Sequence, residues 1–127
     1  MSTQRRRFKV GEAAALLGVS DDTVRRWGES GRLALSGTPA TIDGVELAAL
    51  AQELGTEAHS TGSSARNHFT GIVTKVTRDT VMAQVELQAG PFRVVSLISR
   101  EAADELGLEP GVLATASVKA TNVGISL

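Results

Sequence analysis

The hydrophobic pattern changes period once along the chain, and that single change constrains the fold more than any other feature. From Val10 to Leu54 apolar residues recur at helical spacing: Val10, Ala13, Ala14, Leu17 and Val19, then Val24 and Trp27, then Val45, Leu47, Leu50 and Leu54. From Val81 onward the period is two, with Val81, Ala83, Val85 and Leu87 alternating with polar or larger neighbours, and Val112, Ala114, Ala116 and Val118 doing the same. Between the two regimes Gly55 to Arg66 is rich in Gly, Ser and Thr and has no apolar period, so it reads as a linker. The expectation is an α+β chain of two domains, residues 1–54 and 64–127, joined by a linker over 55–63. The chain has 127 residues. Modules of about sixty residues are marginal alone, because they bury only about 60% of their unfolded surface, so self-association is expected to supply part of the stability.

Local signals place the elements. Gly18 ends a first helix, and Ser20 followed by Asp21 and Asp22 supplies an N-cap and an acidic first turn for a second. Downstream, strands are expected over Gly71–Thr77, Val81–Gln88, Phe92–Ser99 and Val112–Lys119, with turns at Arg78-Asp79 and Ala89-Gly90-Pro91. A short helix, Arg100–Leu106, precedes Gly107, and Ser99 is its expected N-cap. A few antiparallel strands with one interposed helix suggest a small OB-like β-barrel, in which closure removes the sheet edges.

The near-neutral total charge conceals an asymmetry. Residues 1–33 carry Arg5, Arg6, Arg7, Lys9, Arg25, Arg26 and Arg32 against Glu12, Asp21, Asp22 and Glu29, whereas residues 34–63 carry only acids. A polyanion contact is therefore expected near the N-terminus. The chain has no cysteine, which removes disulfides and thiolate catalysis and suits a reducing cytoplasm. No apolar run approaches the roughly twenty residues of a membrane span, and a soluble cytoplasmic protein is expected. His59 and His68 lack a third ligand, so no metal site is expected. No set of nucleophile, base and orienting group is present, and the chain does not read as an enzyme.

The run Phe8-Lys9-Val10-Gly11-Glu12-Ala13-Ala14-Ala15-Leu16-Leu17-Gly18-Val19-Ser20-Asp21-Asp22-Thr23-Val24-Arg25-Arg26-Trp27, continuing to Gly31-Arg32-Leu33, resembles the winged helix-turn-helix of MerR-like and excisionase-like DNA-binding proteins. A helix can enter the major groove only if one face anchors it and the other offers short polar or cationic groups. Val24 and Trp27 fit the anchoring role, with Trp27 in the core. The DNA-contacting residues implied are Asp22, Thr23, Arg25, Arg26 and Arg32, helped by Arg5, Arg6 and Arg7. The segment where a wing would lie, Leu35 to Thr41, carries no charge, so a single copy should bind weakly and an oligomer more usefully.

Ser64-Ala65-Arg66-Asn67 with Phe69-Thr70-Gly71-Ile72-Val73, then Ser96-Leu97-Ile98-Ser99 and Lys119-Ala120-Thr121-Asn122-Val123, resemble the Mop domain of molybdate-binding proteins, a branch of the TOBE fold. The resemblance runs from about Ser64 to Leu127 and departs from the common pattern at Asn122 and Gly124. A tetrahedral dianion stripped of water needs several donors and no carboxylate close by. The resemblance implies that Ser64, Arg66 and Asn67 form one side of an oxyanion site and Lys119, Ala120 (through its backbone) and Thr121 the other, with Ser96 and Ser99 serving a second site. It also implies molybdate or tungstate as ligand, no organic cofactor, and sites between subunits of a dimer or of a hexamer built as a trimer of dimers. The two resemblances together point to an oxyanion-sensing DNA-binding regulator. The alternative is a molybdate or tungstate storage or buffering protein whose helical module acts in assembly.

Overall fold

The structure is a computed structural model that describes residues 6–55 and 62–127; Arg5 and His59 lie outside them. The chain divides into two compact units, residues 1–57 and 58–127.

In the first unit β1 (Arg7–Lys9) leads directly into α1 (Val10–Leu17), followed by α2 (Asp21–Glu29), β2 (Thr41–Asp43) and α3 (Gly44–Leu54). The punctuation is local. The Glu12 carboxylate accepts the Lys9 backbone N–H at 2.9 Å at the start of α1. Gly18 takes φ 70° and lets the Val19 N–H close back onto the Ala14 carbonyl at 3.0 Å. Ser20 caps α2 by accepting the Thr23 N–H at 3.1 Å. β1 and β2 pair antiparallel, Phe8 opposite Ile42. The core is Val10, Ala13, Ala14, Val24, Leu33, Ile42, Leu47 and Leu50. Trp27 is only half-buried and packs against this core rather than within it. Its ring is shared with solvent and with Arg32, whose guanidinium lies 5.0 Å from the ring centroid.

The second unit holds β3 (Asn67–Arg78), β4 (Met82–Ala89), β5 (Phe92–Ser99), α4 (Arg100–Glu105), β6 (Leu113–Val118) and a 3-10 turn at Ala120–Asn122. The sheet order is β5-β4-β3-β6, all antiparallel. β3 is four residues longer at its start than the periodicity predicts, because its two halves serve different partners. Asn67 to Ile72 pair with β6 and Ile72 to Arg78 with β4, with a register shift between Val73 and Lys75. The first half, Asn-His-Phe-Thr, has no apolar alternation to read. The expected barrel is a half-barrel: among the described residues β5 and β6 remain sheet edges and do not pair with each other. Four strands leave an open sheet where closure needs more.

The predicted cap of α4 is present, with Ser99 Oγ accepting the Ala102 N–H at 3.1 Å. The β3–β4 connection is held by Asp79, whose carboxylate accepts the Val81 and Met82 amides at 2.8 and 2.7 Å. Those backbone bonds, Met82 first, hold the Asp79 carboxyl below the usual range; they outweigh desolvation, and the Arg100 charge adds a lesser lowering. A group depressed in the folded state adds stability above its unfolded pKa and loses it as pH falls through the folded value. The expected result is an unfolding midpoint that drops less between about pH 4 and pH 2 in Asp79→Asn than in the parent chain. Acid titrations of thermal unfolding read this directly; equal slopes would assign the acid sensitivity elsewhere.

The core of this unit is small: Val73, Ala83, Val85, Ala103 and Leu108, with Val76, Ile98, Val112 and Ala114 packed against it. Large apolar side chains meanwhile stay in water, Leu97 at 66%, Leu113 at 75% and Ile125 at 89% exposed.

Candidate oxyanion site and basic face

Pairing of β3 with β6 brings together two motifs that lie more than fifty residues apart. The ladder runs Ile72–Leu113, Gly71–Ala114, Thr70–Thr115, Phe69–Ala116, His68–Ser117 and Asn67–Val118. Where it ends, Arg66 and Lys119 are the next residues on the two strands, which puts residues 64–67 and residues 119–121 at the same end of the β3–β6 pair. Cross-strand contacts lace the pair: Asn67 Nδ2 donates to the Val118 carbonyl at 3.0 Å, and the Thr70 and Thr115 hydroxyls bond at 2.9 Å.

Each side of this junction is rich in donors. Lys119 precedes the 3-10 turn, in which the Asn122 N–H reaches the Lys119 carbonyl at 2.9 Å. The N–H groups of Ala120 and Thr121 open that turn and have no carbonyl within it to bond. On the other side the Ser63 hydroxyl accepts the Ala65 N–H at 3.1 Å, and Arg66 Nη1 donates to the Ser63 carbonyl at 3.2 Å. Ser64, Arg66, Lys119 and Thr121 are exposed, and Asn67 is half-buried. Neither residues 62–78 nor residues 110–127 contain an Asp or Glu. The junction therefore combines two cations with neutral donors and no carboxylate on either segment, which is what a dehydrated dianion requires.

Ser96 and Ser99 are not part of this junction. Both lie on β5, two strands away from β3, with Ser96 opposite Val85 and Ser99 opposite Met82. Ser96 is half-buried on the Val94 and Ile98 face, and the Ser99 oxygen serves the α4 cap.

Sequence reasoning passed over Ser63 and weighed His68 only as a metal ligand. Ser63 lies in the stretch read as linker. His68 stands between the Ala65 carbonyl, 3.0 Å from Nε2, and the Ser117 hydroxyl, 2.9 Å from Nδ1. Only the pairing register reveals the second contact, so no local pattern could have found it.

In the first unit α2 presents Asp22, Arg25, Arg26 and Glu29 on one exposed face, with Val24 buried behind. Arg26 sits 3.7 Å from Asp22, with side-chain exposures of 69% and 80%, so the pair is weak and easily exchanged. Arg25 makes no hydrogen bond or ion pair among the described residues. The Thr23 hydroxyl bonds that of Ser20 at 2.9 Å. Arg6 lies over the Phe8 ring at 4.9 Å. Arg7 is tied into the fold: its Nε donates to Thr41 Oγ1 at 2.8 Å and its Nη2 to Ser36 Oγ at 2.7 Å. That contact puts a guanidinium beside the uncharged Ser36–Thr41 turn.

Among the described residues no group of His, Cys, Asp and Glu could hold a metal ion, and no helix is long and apolar enough to cross a membrane.

Comparison with known proteins places the β unit. A family model described as TOBE domain matches residues 63–125. The chain is 41% identical over 63 residues to molybdenum-pterin-binding protein 2 of Clostridium pasteurianum, covering 49% of this chain and 93% of that protein. It is 38% identical over 63 residues to molybdenum-pterin-binding protein 1 of the same organism, with the same coverage. A molybdate-binding protein from Sporomusa ovata superposes with a TM-score of 0.50 at 31% identity, over 51% of this chain and 97% of that one. With a β3–β6 junction of donors and with relatives matched over nearly their whole length, the chain belongs to the TOBE-domain family through residues 63–125.

Proposed function

We propose that this chain binds molybdate or tungstate at the β3–β6 junction and acts as an oxyanion-sensing, DNA-binding transcriptional regulator. The observation that supports the ligand is the register Asn67–Val118, which brings residues 64–67 and residues 119–121 to one end of the β3–β6 pair, with no Asp or Glu on either segment. The names of the relatives, molybdenum-pterin-binding and molybdate-binding proteins, support the same choice. In the free dianion every oxygen is an acceptor; Arg66 and Lys119 offset the charge while Ser64, Thr121 and backbone amides complete the shell. Ser96 and Ser99 are assigned to a second site on β5.

The exposed Leu97, Leu113 and Ile125 support assembly into a dimer or a trimer of dimers, since isolated small domains rarely leave so much apolar surface in water. DNA binding rests on the α1–turn–α2 arrangement, with Arg25 exposed on α2 and unpaired among the described residues, and with Arg26, Arg32, Arg6 and Arg7 in the same unit. Ligand binding would set the arrangement of subunits and thereby the spacing of their α2 helices over half-sites.

Two measurements test the reading. Isothermal titration with molybdate, tungstate and sulfate is expected to give saturable heat with the first two; no heat would remove the oxyanion assignment. Fluorescence anisotropy with a mixed-sequence duplex at fixed salt is expected to show DNA affinity that differs with and without molybdate. Equal affinities would remove the sensor, and no salt-dependent binding at all would leave a storage or buffering protein.

A further inference from the structure

Three backbone carbonyls lie among the donors of the β3–β6 junction: those of Ser63, Ala65 and Val118. Each is covered by a different, consecutive side chain. Arg66 Nη1 donates to Ser63 O at 3.2 Å, Asn67 Nδ2 donates to Val118 O at 3.0 Å, and His68 Nε2 stands 3.0 Å from Ala65 O. A carbonyl can only accept, so Nε2 must carry the hydrogen of the third bond. Nδ1 of that tautomer is then a bare acceptor, and the Ser117 hydroxyl, 2.9 Å away, donates to it. The Ala65 carbonyl thus selects the tautomer, and the Ser117 hydroxyl, by donating to Nδ1, holds the ring oriented to cap it.

We propose that His68 is a positioning residue that tunes the specificity of the oxyanion site: by covering the Ala65 carbonyl it removes an acceptor from the ligand's surroundings, which favours fully deprotonated tetrahedral dianions over dianions that retain a proton. The inference rests on the oxyanion reading of the junction. Charge alone cannot make this distinction, because molybdate and hydrogenphosphate both carry two negative charges near pH 8. The difference is one O–H. Hydrogenphosphate must place that donor, and with the Ser63, Ala65 and Val118 carbonyls each already accepting from a side chain it must compete there for a second lone pair. A Ser or Thr hydroxyl that accepted it would give up its own bond to the anion. A buried donor without a partner costs about 1 to 3 kcal/mol, which is about 5- to 150-fold in affinity. Sites built around hydrogen-bond complementarity reject mismatched ligands through this kind of unpaired group.

The test is calorimetric titration of the intact chain, His68→Leu, His68→Gln and Ser117→Ala with molybdate and with sodium phosphate at pH 8. The parent chain is expected to prefer molybdate by about 100-fold. His68→Leu frees the Ala65 carbonyl and is expected to narrow that preference at least about fivefold, part of it through a gain in phosphate affinity. His68→Gln, whose amide can donate to Ala65 O while its oxygen accepts from Ser117, is expected to restore it. Ser117→Ala, at an exposed position, is expected to narrow the preference about twofold, and serves if the leucine variant does not fold. A purely structural role would weaken both anions in proportion and leave the ratio unchanged; that result in His68→Leu, or in Ser117→Ala if the former is unfolded, overturns the proposal. A parent chain that binds no molybdate removes the oxyanion reading and this inference together, whereas molybdate binding with an unchanged ratio removes this inference alone.

Discussion

Replacing both Arg66 and Lys119 by alanine is expected to weaken molybdate binding by about 100-fold or more while leaving the unfolding temperature of the ligand-free chain within about 4 °C of the parent. The two halves of this expectation have separate origins. In the free chain both side chains are exposed; Lys119 makes no ion pair among the described residues, and Arg66 contributes one bond to the Ser63 carbonyl. Surface substitutions of that kind change stability by about half a kcal/mol or less. Towards a dianion, each cation supplies a charge-assisted hydrogen bond of about 1.5 to 3 kcal/mol, or roughly tenfold or more apiece. The single variants should therefore each lose at least about tenfold, and Arg66→Lys should recover part of the loss by keeping the charge without the two-pronged guanidinium. Calorimetry gives the affinities. The rise in unfolding temperature on adding molybdate, which follows mass action on the folded state, should disappear in the double variant. Binding that stays within threefold of the parent would move the ligand away from the β3–β6 junction and make the β5 serines the next site to test.

What could be read from the sequence divides along the distance over which each signal acts. Ser20 and Ser99 announce their helices because an N-cap is satisfied within three residues, and both caps are present. The buried set of the first unit, Val10, Ala13, Ala14, Val24, Leu47 and Leu50, follows from helical spacing alone. In the β unit, β5 appears at its predicted bounds because alternation is a local property, whereas the first half of β3 was missed because Asn67 to Thr70 alternate nothing. The candidate site is in an intermediate position. Its residues were recognisable as motifs, yet nothing local says that residue 67 faces residue 118, and the capping of the Val118 carbonyl and the His68–Ser117 contact depend on that register. Arg7 shows the same limit: as one of three leading arginines it reads as a DNA contact, and only the β1–β2 pairing places it on Thr41 and Ser36. Barrel closure was overestimated for a related reason, since alternation identifies strands without counting how many edges they leave.

The largest effect on stability is expected from Gly71→Ala, which should lower the free energy of unfolding of the β unit by about 3 kcal/mol or more and its melting temperature by about 12 °C or more. Gly71 is the point at which β3 passes from one partner to the other: it faces Ala114 on β6, and the next residue, Ile72, already pairs with Gln88 on β4. A Cβ at Gly71 would overlap the Gln88 carbonyl oxygen, with the Gln88 carbonyl carbon 2.6 Å and the Ala89 Cα 2.9 Å away. Those neighbours are backbone atoms of a paired strand, so relief requires β4 to move away from β3. Gly28 provides the contrast. A Cβ there would come 2.8 Å from Leu35 Cγ, but that is a half-buried side chain able to change rotamer. Gly28→Ala also gains helix propensity within α2, so its net cost should stay within about 1 kcal/mol. The Gly71 substitution bears on function as well, because the β3–β6 junction needs Asn67 to Ile72 held in register. Molybdate affinity should therefore fall together with stability in Gly71→Ala and remain at the parent value in Gly28→Ala, and equal melting temperatures for the two variants would show that β4 yields where the packing says it cannot.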